Sequence, residues 1–145
     1  MNENEELLTY IYQTSSIGLQ STIDLLNCLK GKENKILDLL FEIKKNYEKY
    51  SLETEKLLKK HKLQAKDLGL MTKTMSKLSI NKEMLEDNSD TNIADMLIKG
   101  LTMGNLELTK NIEKYEKTAD KKIISLGKNL LDFGEKYIEK LKAFL

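Results

Sequence analysis

Few residues in this sequence have the type and spacing to do chemistry. Glu107 and Asn111 lie four residues apart in "IKGLTMGNLELTKN", so on a helix they share a face. Glu135, on the helix that follows, is the acid that could join them. Two carboxylates and an amide oxygen form an all-oxygen donor set suited to a hard metal ion. The competing expectation puts Glu107 at the edge of its stripe, paired with a lysine, because a buried carboxylate without partners is expensive. Glu113 and Glu116 also have ligand spacing, but they project away from that face and read as a solvated pair. The single histidine, His61, sits in "KLLKKHKL", where the lysines oppose cation binding. A role at a helix end is expected for it. The single cysteine, Cys28, excludes a disulfide within the chain and reads as a small, partly buried apolar residue. The sequence holds no nucleophile elbow, no Gly-rich phosphate loop and no zinc-type cysteine pair. No catalytic residue and no cofactor is assigned, and the balance leans towards a non-enzymatic protein.

The same stretch carries Gly100 and Gly104. A glycine inside a helix costs about 1 kcal/mol relative to alanine, so something must offset it. Gly18, Gly100, Gly104, Gly127 and Gly134 all fall within expected helices and on their apolar stripes. Close approach of helix backbones, or room for a large ring opposite, would compensate. Counting back from the turns pairs Gly18 with Tyr47, Gly104 with Gly134, Asn111 with Gly127 and Gly100 with Tyr137. A third use is a void: glycines and hydroxyls around Gly18, Tyr47, Gly100 and Gly104 could line a pocket that a small molecule fills.

The elements that must position these residues are helices, because apolar residues recur at helical spacing almost throughout. One helix is expected from about Glu5 to Lys30, with Gly31 as its stop, and a second from about Glu33 to Lys62. The short turn makes them an antiparallel hairpin. The signal weakens over 63–90: Gly69 marks a loop, and Met71, Met75, Leu78 and Leu85 give one apolar face of a shorter helix. Ser89 or Asp90 can cap the next helix, expected from about Thr91 to Lys117. Its inward stripe reads Ile93, Leu97, Gly100, Gly104, Glu107, Leu108, Asn111 and Tyr115. The last helix runs to Leu145. The expected fold is all-α and forms one domain over 1–145: a hairpin over 5–62, a crossover segment over 63–90 and a hairpin over 91–145. A five-helix antiparallel bundle is the alternative. Inward hydroxyls such as Ser15, Thr22, Ser51 and Thr54 can bond to carbonyls of their own helix. Met71, Met75, Met84, Met96 and Met103 are expected to fill core gaps, with a soft binding groove as the other reading.

Composition narrows the partners. Lys plus Arg is 24 against 23 for Asp plus Glu in 145 residues, and the two signs are interspersed. That pattern gives no nucleic-acid footprint. No apolar run approaches the roughly 18 residues needed to span a bilayer, so no membrane insertion is expected. The acidic start "MNENEELL" is unlike a signal peptide, which points to the cytoplasm.

Length, four long helices, a crossover and polar residues at mid-bundle resemble the ferritin-like superfamily. In particular, "IADMLIKGLTMGNLELTKNIEKY" and "LGKNLLDFGEKYIEKLKAFL" are similar to small uncharacterised ferritin-like bundles of low-GC Gram-positive bacteria. The resemblance implies four long helices in a ferritin-like bundle with a short amphipathic crossover helix between the second and third. A di-iron centre needs Glu-x-x-His on two helices; the residue three before His61 is Leu58, so that motif is lacking. The expectation is a ferritin-like bundle without a di-iron centre, acting by self-association or protein binding, with a structural role such as one in the spore coat suggested only by the kinship. A carboxylate-ligated metal protein and a small-molecule-binding bundle are the alternatives.

Overall fold

A computed structural model describes residues 2–64 and 70–145, with side chains on the latter stretch from residue 75 onward. Among these residues the chain is all-helical: α1 is Glu3–Cys28, α2 Leu37–Lys60, α3 Leu70–Glu86, α4 Asp90–Tyr115 and α5 Lys121–Lys142.

Local chemistry sets the helix ends. The Asn2 side chain accepts from the Glu5 amide at 2.8 Å, and Ser89 accepts from the Asn92 amide at 3.2 Å. Both satisfy orphan N–H groups of a first turn. Gly31 has φ +78°, the left-handed conformation that ends α1. The second helix starts later than expected, at Leu37. The residues before it are engaged elsewhere: the Asn34 amide donates to Asp90 Oδ1 and to the Asn88 carbonyl, both at 2.9 Å, and the Lys35 amide donates to Asp90 Oδ2 at 3.2 Å.

These tethers also fix direction. The turn after α1 meets the start of α4 through Asn34 and Asp90, and Thr91 donates to the Phe144 carbonyl beyond α5. At the opposite end the Asp120 amide donates to Asn4, and His61 lies 3.5 Å from Asp120. Successive helices therefore alternate in direction. α1 packs on α2 and α4 on α5; the two hairpins meet through α1–α4, α2–α5 and α1–α5 contacts. α3 packs against α1 alone among the described residues. No described helix is long and apolar enough to cross a membrane.

Between the hairpins lies a core that includes Leu8, Ile11, Ile43, Leu108 and Ile123. Of the inward hydroxyls, the two threonines bond to their own helix as their spacing predicts, whereas the Ser15 and Ser51 hydroxyls are buried with no hydrogen-bond partner among the described residues. Thr22 donates to the Gly18 carbonyl at 2.7 Å, and Thr54 to the Tyr50 carbonyl at 2.6 Å. Across α2 and α5, Phe133 stacks with Tyr47 and Tyr137, each at 4.9 Å between ring centres, and with Tyr50 at 5.6 Å.

One expected face is partly corrected and another is left uncovered: on α4, Ile93, Leu108 and Tyr115 are buried as expected, but Leu101 and Ile112 take the place of Gly100 and Asn111. α4 buries Ile93, Ala94, Leu101, Leu108, Ile112 and Tyr115, a stripe about one residue round from the expected one. That rotation buries a wholly apolar set apart from one phenol. It leaves Glu107 exposed and turns Gly100 outward. Burying Glu107 would have stripped a carboxylate of water. On α3, the expected apolar face of Met75, Leu78 and Leu85 lies exposed, Leu85 at 90%. Met84 is buried instead, Ile80 packs on the core, and Asn81 accepts from the Cys28 thiol at 3.2 Å. The α1 face that α3 meets carries Asp24 and Cys28, and Asn81 meets that polar surface. The Met71 side chain and the Gly69 loop lie outside the described residues.

Candidate functional site

The glycines divide into two groups. A methyl group on Gly18 would run into the Tyr47 ring, as the expected pairing requires. One on Gly127 would press on Ile112 at 3.2 Å and Ile11 at 3.4 Å, and one on Gly134 would collide with the Asn105 side chain. The expected pairs Asn111–Gly127 and Gly104–Gly134 are therefore replaced by Ile112–Gly127 and Asn105–Gly134. Each partner is one residue further along α4, the same rotation as above. Gly100 does not meet Tyr137 either. Tyr137 sits between α5 and α2, accepting from the Asn46 amide at 3.2 Å and donating to Glu42 at 3.3 Å. Gly100 and Gly104 have no atom within 4 Å of the position a side chain would take.

The open space in front of them is a groove of about 540 Å³ between α1, α3 and α4. α1 contributes Tyr10, Thr14, Ile17, Gly18, Ser21 and Thr22; α3 contributes Ser76, Ser79 and Ile80; α4 contributes Met96, Gly100, Met103, Gly104 and Glu107. Ile43, Tyr47, Leu130 and Phe133 form the floor. The groove exists because α3 leans on α1 and leaves α4 uncovered, and because two α4 positions lack side chains. Met103, 71% exposed, stands at its rim. Burial pushes the Tyr47 phenol far above the ordinary tyrosine range, so its floor position is filled by a neutral ring. Burial likewise pushes the Tyr10 phenol up; the Thr14 hydroxyl pulls it down, and the Glu107 carboxylate facing it pushes it up.

Of the residues singled out in the sequence, the fold brings Gly18, Tyr47, Gly100, Gly104 and Gly134 to this groove, with Glu107 along it. Gly127 and Tyr137 lie elsewhere, as close-packing residues. The proposed oxygen-donor set is not assembled. Glu107 is exposed and paired with Lys110 at 3.3 Å, the Asn111 amide donates to the Glu107 carbonyl at 2.8 Å, and Glu135 is exposed and lines no part of the groove. The described residues contain no group of three or more Cys, His, Asp or Glu placed to hold a metal ion. Glu113 and Glu116 are both exposed, as expected, and Glu116 pairs with Lys128 of α5 at 2.8 Å. His61 follows the last turn of α2, 3.5 Å from the Asp120 carboxylate that caps α5.

Sequence reasoning missed Tyr10, Thr14, Ser21, Ser76, Ser79 and Phe133. The available signal was on α1: Thr14, Gly18 and Ser21 share one helical face, and a face of small residues leaves room. A second, smaller cavity of about 320 Å³ lies between α2 and α5, lined by Asn46, Glu53, Asp132 and Tyr137 among others. Comparison of the chain with family models, with curated proteins and with solved structures finds no match.

Proposed function

We propose that this chain is a cytoplasmic, non-enzymatic bundle of ferritin-like layout that binds an apolar small molecule in the groove between α1, α3 and α4. One observation carries the reading. Gly100 and Gly104 weaken α4 and pack against nothing, and what their lack of side chains leaves open is a groove of about 540 Å³. Ligand sites fall at roughly 300–1,000 Å³, mostly apolar with a few polar groups, and this lining has that character. It offers no nucleophile–base pair, so binding is the chemistry it supports. The ferritin-like layout is supported by the two hairpins and by the intervening helix that runs back along α1.

The test is fluorescence titration with N-phenyl-1-naphthylamine, a neutral apolar probe. Native protein should bind it with enhanced emission. Gly100→Leu combined with Gly104→Leu should fold, since no described atom lies within 4 Å of either new Cβ, and should lose the probe. Equal binding by native and filled protein, or none by native, refutes the reading.

The exposed Met75, Leu78 and Leu85 on α3 favour a second reading, self-association or protein binding through that face. Light scattering on a chromatographed sample decides it: a strict monomer at high concentration removes self-association, and a dimer dispersed by Leu85→Lys supports it.

A further inference from the structure

The groove has two unlike ends, and the difference specifies the ligand further; this rests on the groove being a ligand site. α1 and α4 run antiparallel, so Tyr10 and Thr14 lie at the level of Glu107, whose charge reaches the Tyr10 phenol. The far end is apolar: Leu25, Ile80, Met96 and Leu97. From Tyr10 to Leu25 is about 22 Å of helix at 1.5 Å per residue. A groove of that length, polar at one end and apolar at the other, suits an extended molecule with a head and a tail.

Charge selects the head group. Glu107 is the one charged side chain among the described residues that line the groove. Lys110 pairs with it from outside the lining, and both are more than half exposed. Glu6, one turn before Tyr10 and held by the Tyr115 hydroxyl, adds a second acid near the same end. At the other end the Lys99–Asp95 pair, with Glu83 acting on Lys99, stays outside the lining. An anionic head would find a carboxylate and no cation among the described lining residues. A protonated nitrogen would find the Glu107 carboxylate, and the Tyr10 ring offers a face for a cation.

We propose that the groove holds a single-chain alkyl amine, its protonated nitrogen between Glu107 and Tyr10 and its tail towards Leu25 and Met96.

The test displaces N-phenyl-1-naphthylamine from the full chain with dodecylamine, dodecanol and dodecyl sulfate, each below its micelle-forming concentration. Dodecylamine should compete at about two- to five-fold lower concentration than dodecanol, the scale of one exposed ion pair, and dodecyl sulfate should be weakest. Glu107→Gln should erase the difference between amine and alcohol. Met96→Trp should shift the preference to shorter chains and leave the amine preference intact. Dodecyl sulfate equal to or better than dodecylamine overturns the proposal, as does an amine preference that survives Glu107→Gln. Loss of that preference in Met96→Trp alone would reverse the orientation and overturn it as well. A native protein that ignores the neutral probe refutes the groove as a site; a probe displaced without regard to head group refutes only the amine.

Discussion

Replacing Gly100 and Gly104 by alanine should make this protein more stable, whereas the same change at Gly18 should weaken it. Each α4 glycine leaves its helix less rigid in the folded chain and freer in the unfolded one. Alanine at a position with ordinary helical geometry and no neighbour recovers about 0.5–1 kcal/mol. At Gly100 and Gly104 a new methyl group meets nothing within 4 Å, so no packing term opposes the gain. The double variant should gain about 1–2 kcal/mol, which for a domain of this size raises the melting temperature by about 3–8 °C. At Gly18 the methyl group would overlap the Tyr47 ring, itself buried and stacked on Phe133. Moving the ring would break its contact with Phe133, and overpacking of this kind costs about 1–3 kcal/mol. Urea denaturation followed by circular dichroism measures both, with unchanged m-values as the check that only stability moved. Destabilisation by the α4 double variant comparable with that of Gly18→Ala would refute the reasoning, because it would mean that those positions are packed and the groove is closed. The same methyl groups narrow the groove, so gained stability should accompany weaker probe binding.

Phe133→Ala removes the ring that Tyr47, Tyr50 and Tyr137 all touch, and should cost about 3–5 kcal/mol by chemical denaturation. Asp90→Ala strips the acceptor from Asn34 and the Lys35 amide and should cost about 1–2 kcal/mol, read in the same assay. Burial and the neighbouring Asp24 push the Cys28 thiol up, against a smaller downward pull from Lys77; its alkylation by iodoacetamide should therefore be slower at pH 7.5 than in urea-unfolded chain and rise only at higher pH. The Lys128 ammonium holds the Glu116 carboxyl below its usual range. A lowered carboxyl contributes stability above its unfolded pKa and loses it as pH falls through the folded one, so any melting difference between native protein and Lys128→Met should be present at neutral pH and vanish in strong acid.

The Gly18–Tyr47 contact was legible in the sequence because a short turn leaves the first hairpin little freedom of register. The face of α4 was not, because two stripes compete there. Gly100, Gly104 and Asn111 are periodic, and so are Leu101 and Ile112, one residue away, with Leu108 common to both. Periodicity alone does not rank them. The cost of dehydrating Glu107 does, and giving that term more weight would have chosen the observed face. For α3 the spacing of Met75, Leu78 and Leu85 describes a real apolar stripe, but a stripe states only that a partner would be welcome, not that this chain supplies one. The groove was half legible. The glycines and Tyr47 that line it stood out, while Ser76 and Ser79 reach it only through the tilt of a helix whose docking no local pattern encodes.

Attachment of α3 to α1 alone among the described residues has a consequence for how the molecule opens. A segment held on one side can detach without unravelling the two hairpins, so its amides should exchange with deuterium through a partial opening at lower free energy than those of α5. An occupant that touches Ser79 and Ile80 would tie the segment to α4 as well. Slowed exchange in α3, with α5 unaltered, would then report occupancy at a distance from the molecule that causes it.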